Sequence, residues 1–297
     1  MGNARFGRVV SAMITPFDAA GGLDLDGAVT LARWLVAHGN DGLVVAGTTG
    51  EAPTLSDDEK VELWRAVRDA VDVPILAGTG SNDTRHTIGL SRRAAEVGVD
   101  GLLLVSPYYN RPTQPGIVGH MRAVAEAVDL PIVMYNVPIR TGRAMTVDTI
   151  VTLANEVPGV VGLKDAGGDP GATARVVAES PADFDVYSGD DGLTLALLAV
   201  GAVGVVGVAT HWSGELHGEM IAAAGKGDLE TAREVNARLL DSFDLEVGPS
   251  WVQASAVKAV LEVLGLPAGD TRLPLEPVSD EARVAARRVV ADLGLTG

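Results

Sequence analysis

Lysine is scarce in this chain: four residues against nineteen arginines, so it is not the habitual surface cation. One of the four, Lys164, closes the run Gly159-Val160-Val161-Gly162-Leu163 and is followed by the turn-forming Asp165-Ala166. Lys60, Lys226 and Lys258 stand among polar neighbours of helical or loop pattern, where a solvated ammonium is the simple expectation. Lys164 comes instead where an apolar strand would leave a core. A dry pocket strips hydration from an ammonium, lowers its pKa and frees the neutral amine. That is the condition for Schiff-base attack on a carbonyl substrate. The plain alternative is a strand-end lysine that snorkels to water.

Other groups with chemical capacity stand at comparable places. Gly47-Thr48-Thr49-Gly50-Glu51 offers hydroxyls and backbone N–H groups suited to a carboxylate, although an ordinary strand-to-loop turn reads the same way. Ser106-Pro107-Tyr108-Tyr109-Asn110-Arg111-Pro112 and Tyr135-Asn136-Val137-Pro138-Ile139-Arg140-Thr141-Gly142 hold three of the four tyrosines, a clustering that core filling does not explain. A tyrosine beside an amine nucleophile can relay protons if its hydrogen-bond partners tune it. Arg140 presents a planar fork for a carboxylate, or makes a surface ion pair. His211 and His217 are six apart and lack a metal-ligand spacing. Asp190-Asp191 suits a cation, or equally a helix N-terminus.

These groups need elements to hold them. Short apolar runs predict strands at Val9–Ile14, Leu43–Ala46, Ile75–Gly78, Gly101–Val105, Ile132–Tyr135, Val160–Lys164, Phe184–Ser188 and Gly204–Val206. They are apolar nearly end to end, as strands buried on both faces of a parallel sheet are. Amphipathic helices alternate with them. Ser56-Asp57-Asp58-Glu59 reads as a capping box, and the helix after it turns Val61, Trp64, Val67 and Val71 inward. Eight βα units in series predict a TIM (β/α)8 barrel, with an open doubly wound sheet as the alternative. Gly78-Thr79-Gly80 is a tight turn rather than a dinucleotide fingerprint. After residue 206 only helical patterns follow: Trp212–Ala224, Leu229–Phe243, Ser250–Leu264 and Asp280–Leu293. The expected division is a barrel over 1–224 carrying the active site and a three-helix extension over 225–297. In a barrel, the strand C-termini carry the chemistry, and Thr48, Tyr109, Tyr135, Arg140, Lys164 and Asp190 all stand at or just after one.

Composition removes several function classes. Basic residues number 23 and acidic ones 39, a net charge of −16 that argues against nucleic acid or an anionic membrane as partner. The absence of cysteine excludes disulfides, thiolate metal sites and a cysteine nucleophile. No apolar stretch reaches membrane-spanning length, and Met1 to Arg8 lacks a secretory h-region. A soluble cytoplasmic protein is the expectation.

Taken in order, G-T-T-G-E, P-Y-Y-N-R-P, Y-N-V-P-x-R-T-G, G-L-K-D-A and S-G-D-D resemble the dihydrodipicolinate synthase (4-hydroxy-tetrahydrodipicolinate synthase) family of the class I pyruvate-aldolase superfamily, over essentially the whole chain. The resemblance implies a lyase that joins pyruvate to aspartate semialdehyde in diaminopimelate and lysine biosynthesis. It implies no metal and no cofactor beyond the imine itself. Lys164 would form that imine, and Tyr135 would relay protons in a triad with Thr48 and Tyr109. Thr49 would hold the pyruvate carboxylate and Arg140 that of aspartate semialdehyde, while the backbone of Gly189 and Val206 would line the pocket. Tyr109 would act across a tight-dimer interface, so the implied assembly is a homo-oligomer, a dimer of tight dimers. Another pyruvate lyase, for N-acetylneuraminate or a ketodeoxysugar, is the rival within the fold, and a non-catalytic sensor on the same barrel lies outside it. Arg140 favours an acidic aldehyde over a sugar.

The chain departs from the family pattern in places. Ile139 and Gly207 stand where serine is common, and the Asn-Pro before the second C-terminal helix is missing from Gly248-Pro249-Ser250-Trp251. Where lysine-inhibited members carry their effector-binding histidines and glutamate, this chain has Asp57, Lys60 and His86, with Asn82 and Tyr108 retained. The resemblance therefore implies weak or absent feedback by lysine. Asp57, in the first turn of its helix, is expected to be satisfied by solvent and the helix dipole.

Overall fold

The computed structural model describes residues 4–248 and 250–295. Eight strands pair in sequence order, all parallel: β1 (Val9–Ala12), β2 (Gly42–Val45), β3 (Ile75–Gly78), β4 (Gly101–Val105), β5 (Ile132–Asn136), β6 (Val160–Asp165), β7 (Asp185–Ser188) and β8 (Gly204–Gly207). β8 returns to pair with β1 and closes the barrel. This is the TIM barrel rather than the open sheet. The helices are α1 (Leu25–Ala37), α2 (Asp57–Arg68), α3 (Thr84–Val97), α4 (Gln114–Ala125), α5 (Pro138–Thr141), α6 (Val147–Glu156), α7 (Pro170–Glu179), α8 (Thr194–Ala199), α9 (Thr210–Gly225), α10 (Leu229–Glu246), α11 (Gln253–Val263) and α12 (Asp280–Asp292). The Ser56 capping box is present in full, with Glu59 reaching back.

β5, β6 and β8 run one residue beyond the sequence reading, whereas β1 and β2 stop short of it for local reasons. β1 stops at Ala12, not Ile14, because the Ile14 amide donates to the His211 ring instead of to a neighbouring strand. β2 stops at Val45 because Ala46 turns left-handed, with φ of 57°, and sends the chain into the Gly-Thr-Thr-Gly loop. α11 begins at Gln253 rather than Ser250, and Pro249 lies outside the described residues.

Alternation along the strands splits the apolar side chains into two sets. Val44, Leu76, Leu103, Val133, Tyr135 and Tyr187 fill the barrel interior. Leu43, Val45, Leu102, Leu104, Ile132 and Met134 face the helices. β6 would break this phase but for one irregularity. Val160 pairs with Ile132, yet Gly162 pairs with Val133, so Val161 is an extra residue in β6. A one-residue slip moves every following side chain to the opposite face. Downstream of it Leu163 is opposite Met134 and faces the helices, while Lys164 is opposite Tyr135 and faces the interior.

The helices after the barrel are tied to the β2 loop by buried charge. Lys258 of α11 is fully buried and lies 2.7 Å from Glu51 Oε1, and it donates to the Asp270 carbonyl at 2.9 Å. Arg272 makes two hydrogen bonds to the Glu59 carboxylate, at 2.6 and 3.1 Å. This corrects the expectation of solvated ammonium groups: Lys258 is paired inside the protein, and Lys60 is also buried. Lys258 stands in the apolar run Ala256-Val257-Lys258-Ala259-Val260-Leu261, which is consistent with burial, but nothing local shows that α11 lies against a loop some two hundred residues away.

Candidate active site

Lys164 is the penultimate residue of β6 and only 4% exposed. Its Nζ stands 4.5 Å from the centroid of the Tyr135 ring. Burial pushes the Lys164 ammonium down to about 8; the Asp191 carboxylate opposes that shift and the Arg140 guanidinium reinforces it. Neither Asp191 nor any other described carboxylate pairs with it directly, whereas Lys258 has Glu51. So of the two fully enclosed lysines, only Lys164 is free to act as an amine. Gly189 makes room for it: a Cβ there would come within 2.9 Å of Lys164 Cγ and 3.0 Å of Cε. The strand is braced behind it by Asp165, which accepts from Asn136 Nδ2 at 3.3 Å and from the Thr173 hydroxyl at 2.7 Å.

Tyr135 lies in β5, as its strand pattern predicts, and burial raises its phenol to about 12. It therefore holds its proton across the physiological range and can donate it. A cavity of about 500 Å³ at this end of the barrel is lined by Thr48, Tyr135 and Arg140, and runs on to Asp57, Lys60 and His86. Arg140 rides on the single helical turn α5, which the sequence reading took for loop. Thr49 is buried in the same Gly-Thr-Thr-Gly turn, and Val206 is buried in β8. Tyr109 is the exception. It is 89% exposed, with φ of 70°, and its ring points away from the chain that carries it. Among the described residues no hydrogen bond joins the hydroxyls of Thr48, Tyr135 and Tyr109 within one chain.

The far end of the cavity also differs from expectation. The Asp57 carboxylate receives His86 Nε2 at 2.8 Å and lies 3.8 Å from Lys60 Nζ. Neighbouring side chains, and not solvent and dipole alone, satisfy it. Tyr108 lines this stretch, and Asn82 gives its carbonyl to Asn110.

Three groups with a bearing on the site were not legible beforehand. Asp191 is no simple helix-start acid: its carboxylate crosses to the end of β8, where Val208 donates at 2.9 Å and Ala209 at 3.2 Å. A Cβ at position 207 would stand 2.5 Å from Asp191 Oδ1, which accounts for Gly207 in place of serine. Glu246, at the end of α10, accepts from the same Ala209 amide at 3.0 Å. Two buried carboxyls thus converge on one N–H. Burial works against ionisation of Asp191, but the adjacent His217 ring and the Val208 amide outweigh it and keep Asp191 below its usual range. Burial and the Asp191 charge raise Glu246 well above its own. Gln253 is the third group, bridging Glu246 and Arg140. Only a fold that lays α10 and α11 over the mouth of the barrel brings these residues to the site. His211 is held neutral, its Nδ1 donating to Val208 and its Nε2 accepting from Ile14, with its pKa lowered by burial to about 4.

Comparison with known proteins gives one consistent result. The model of the dihydrodipicolinate synthetase family matches residues 5–293. The 4-hydroxy-tetrahydrodipicolinate synthase of Acidothermus cellulolyticus is 50% identical over 99% of this chain and 94% of that protein. That of Moorella thermoacetica is 47% identical over 98% of this chain and 99% of that protein. Among solved structures, the enzyme from Cyanidioschyzon merolae with lysine bound has a TM-score of 0.96 at 41% identity, covering 99% of this chain and 100% of that one.

Proposed function

The chain belongs to the dihydrodipicolinate synthetase family, and from that membership we propose that it is the lyase condensing pyruvate with aspartate 4-semialdehyde to 4-hydroxy-tetrahydrodipicolinate. The observation that carries the reading is the enclosed, unpaired Lys164 amine against the Tyr135 ring. In this reading Lys164 Nζ attacks C2 of pyruvate, and the carbinolamine loses water to give the iminium. Loss of a methyl proton forms the enamine, whose C3 bonds to the aldehyde carbon. The substrate's own amine then displaces Lys164 from C2 and closes the ring, so the net change is two substrates to one product and one water. The imine is its own electron sink, and the proposal calls for no cofactor. Tyr135, with Thr48, moves the protons; Thr49 and the backbone at Gly189 and Val206 shape the pyruvate end; Arg140 holds the second carboxylate.

The outward Tyr109 supports an assembly in which a second copy receives it. The proposed unit is a tight dimer, paired again into a tetramer. Ile139 of the α5 turn is also 91% exposed, as a residue awaiting a partner would be. Among the described residues no helix is long and apolar enough to cross a membrane, and the two substrates are soluble metabolites, so the proposed compartment is the cytoplasm. Assay of pyruvate with aspartate semialdehyde against a panel of sugar acids tests the substrate. Turnover only with the semialdehyde supports the reading, and preference for a sugar acid would move the enzyme to another branch of the aldolases.

A further inference from the structure

Arg140 is an exposed side chain on one helical turn, and among the described residues Gln253 is the only hydrogen-bond partner of its guanidinium. The bonds leading away from it have a direction. Arg140 Nη2 donates to Gln253 Oε1 at 3.3 Å, and Gln253 Nε2 donates to Glu246 Oε2 at 3.4 Å. Glu246 Oε1 accepts from the Ala209 amide at 3.0 Å. A guanidinium has no acceptor atom, so the Gln253 amide must turn its oxygen to it. Its nitrogen then needs an acceptor on the other side. Glu246 supplies one because its second oxygen is already anchored on a backbone amide deep in the protein.

We propose that Gln253 and Glu246 are positioning residues that hold the Arg140 fork toward the second substrate and thereby set the preference for a carboxylate-bearing aldehyde. The proposal rests on Arg140 binding that carboxylate, as argued above. An unrestrained arginine gives up much rotamer freedom when it engages a ligand. Holding the fork beforehand removes part of that loss from the binding step. The C-terminal helices thus contribute to substrate choice through a relay of two side chains and not by touching the substrate.

The direction of the relay makes it separable from packing. Glu246→Gln keeps the volume, but with its oxygen on Ala209 it turns an NH2 toward Gln253. Gln253 must then either face that NH2 with its own or invert and present NH2 to Arg140. Gln253→Ala simply removes the link, at a half-buried position where folding is little affected. For each variant, KM for aspartate semialdehyde, KM for pyruvate and the yield of borohydride-trapped pyruvate imine are measured, with Arg140→Ala in parallel. Both relay variants should raise the semialdehyde KM roughly three- to thirty-fold, the range for a hydrogen bond to a charged group, with pyruvate KM and imine yield moving much less. Gln253→Ala added to Arg140→Ala should do no further harm. If Arg140→Ala raises the semialdehyde KM and Gln253→Ala does not, this inference fails and the role of Arg140 stands. If Arg140→Ala leaves it unchanged, both fail. A rise in both substrates' KM alike, or a harmless Glu246→Gln, would show packing only.

Discussion

Lys164 and Tyr135 are Cα partners across β5 and β6, and the ammonium nitrogen lies over the phenol ring at 4.5 Å. The pair carries two opposed effects. The ring face stabilises the cation, while enclosure destabilises it, and enclosure wins, leaving the amine near 8. Such a group can attack as an amine and, once the imine forms, has a proton-bearing hydroxyl on the adjacent strand.

Borohydride reduction in the presence of pyruvate should fix one adduct, on Lys164, and abolish turnover. Lys164→Ala should give neither adduct nor activity. Lys258 is buried too, but it is engaged by Glu51 at 2.7 Å, so peptide mapping that placed the adduct on Lys258 or Lys60 would overturn the mechanism.

The rate of imine formation should climb about tenfold per pH unit up to about 8 and level off above it, following the free amine. The same shift acts on stability. Between about 8 and the ordinary lysine value of 10.5 the unfolded chain binds more protons than the native one, so this group's contribution to stability rises with pH there. Below that window the full penalty, on the order of 3 kcal/mol, is present. Lys164→Met should therefore raise the unfolding midpoint at pH 7, read by thermal melts, while destroying activity.

Tyr135→Phe keeps the ring and removes the hydroxyl, and should slow turnover by roughly 10²- to 10⁴-fold. Tyr109→Phe should also be slow although its ring lies outside its own chain's cavity. Mixing inactive Tyr109→Phe and inactive Lys164→Ala subunits should recover activity, because one site of the mixed dimer then holds both residues. Proven subunit exchange with no recovery would exclude action across the interface.

The cavity end at Asp57, Lys60 and His86 should not bind lysine as an inhibitor. Lys60 places a positive charge beside any incoming ammonium, and Asp57 is already engaged by His86 and Lys60. Like charges about 4 Å apart repel by roughly 1 to 4 kcal/mol, one to three decades of affinity. Activity should therefore persist at millimolar lysine, and a sub-millimolar inhibition midpoint would contradict the charge argument.

Much of this was legible from residue types. β3 and β4 begin and end where apolar patterning and turn residues place them. Lys164, Tyr135, Thr48 and Arg140 stand out because local pattern puts them at strand ends. Residues whose roles depend on distant chain segments were not legible. Glu246 and Gln253 look like ordinary helix polar positions until α10 and α11 are laid over the barrel. Lys258 looks solvated until Glu51 is found beside it. Helicity at Pro138–Thr141 is too short to leave a periodic signal.

The extra residue at Val161 means that the location of the nucleophile is written into chain length as well as into residue identity. Removing any one residue between Val160 and Lys164 would let β6 pair without the bulge and still leave Lys164 opposite Tyr135. Adding one, with the bulge unchanged, would carry the lysine to the helix-facing side. Tolerance over this strand segment should therefore be lopsided, with deletion keeping the lysine in the barrel and insertion expelling it, and a library that varies length would find a boundary there that substitution alone would never reveal.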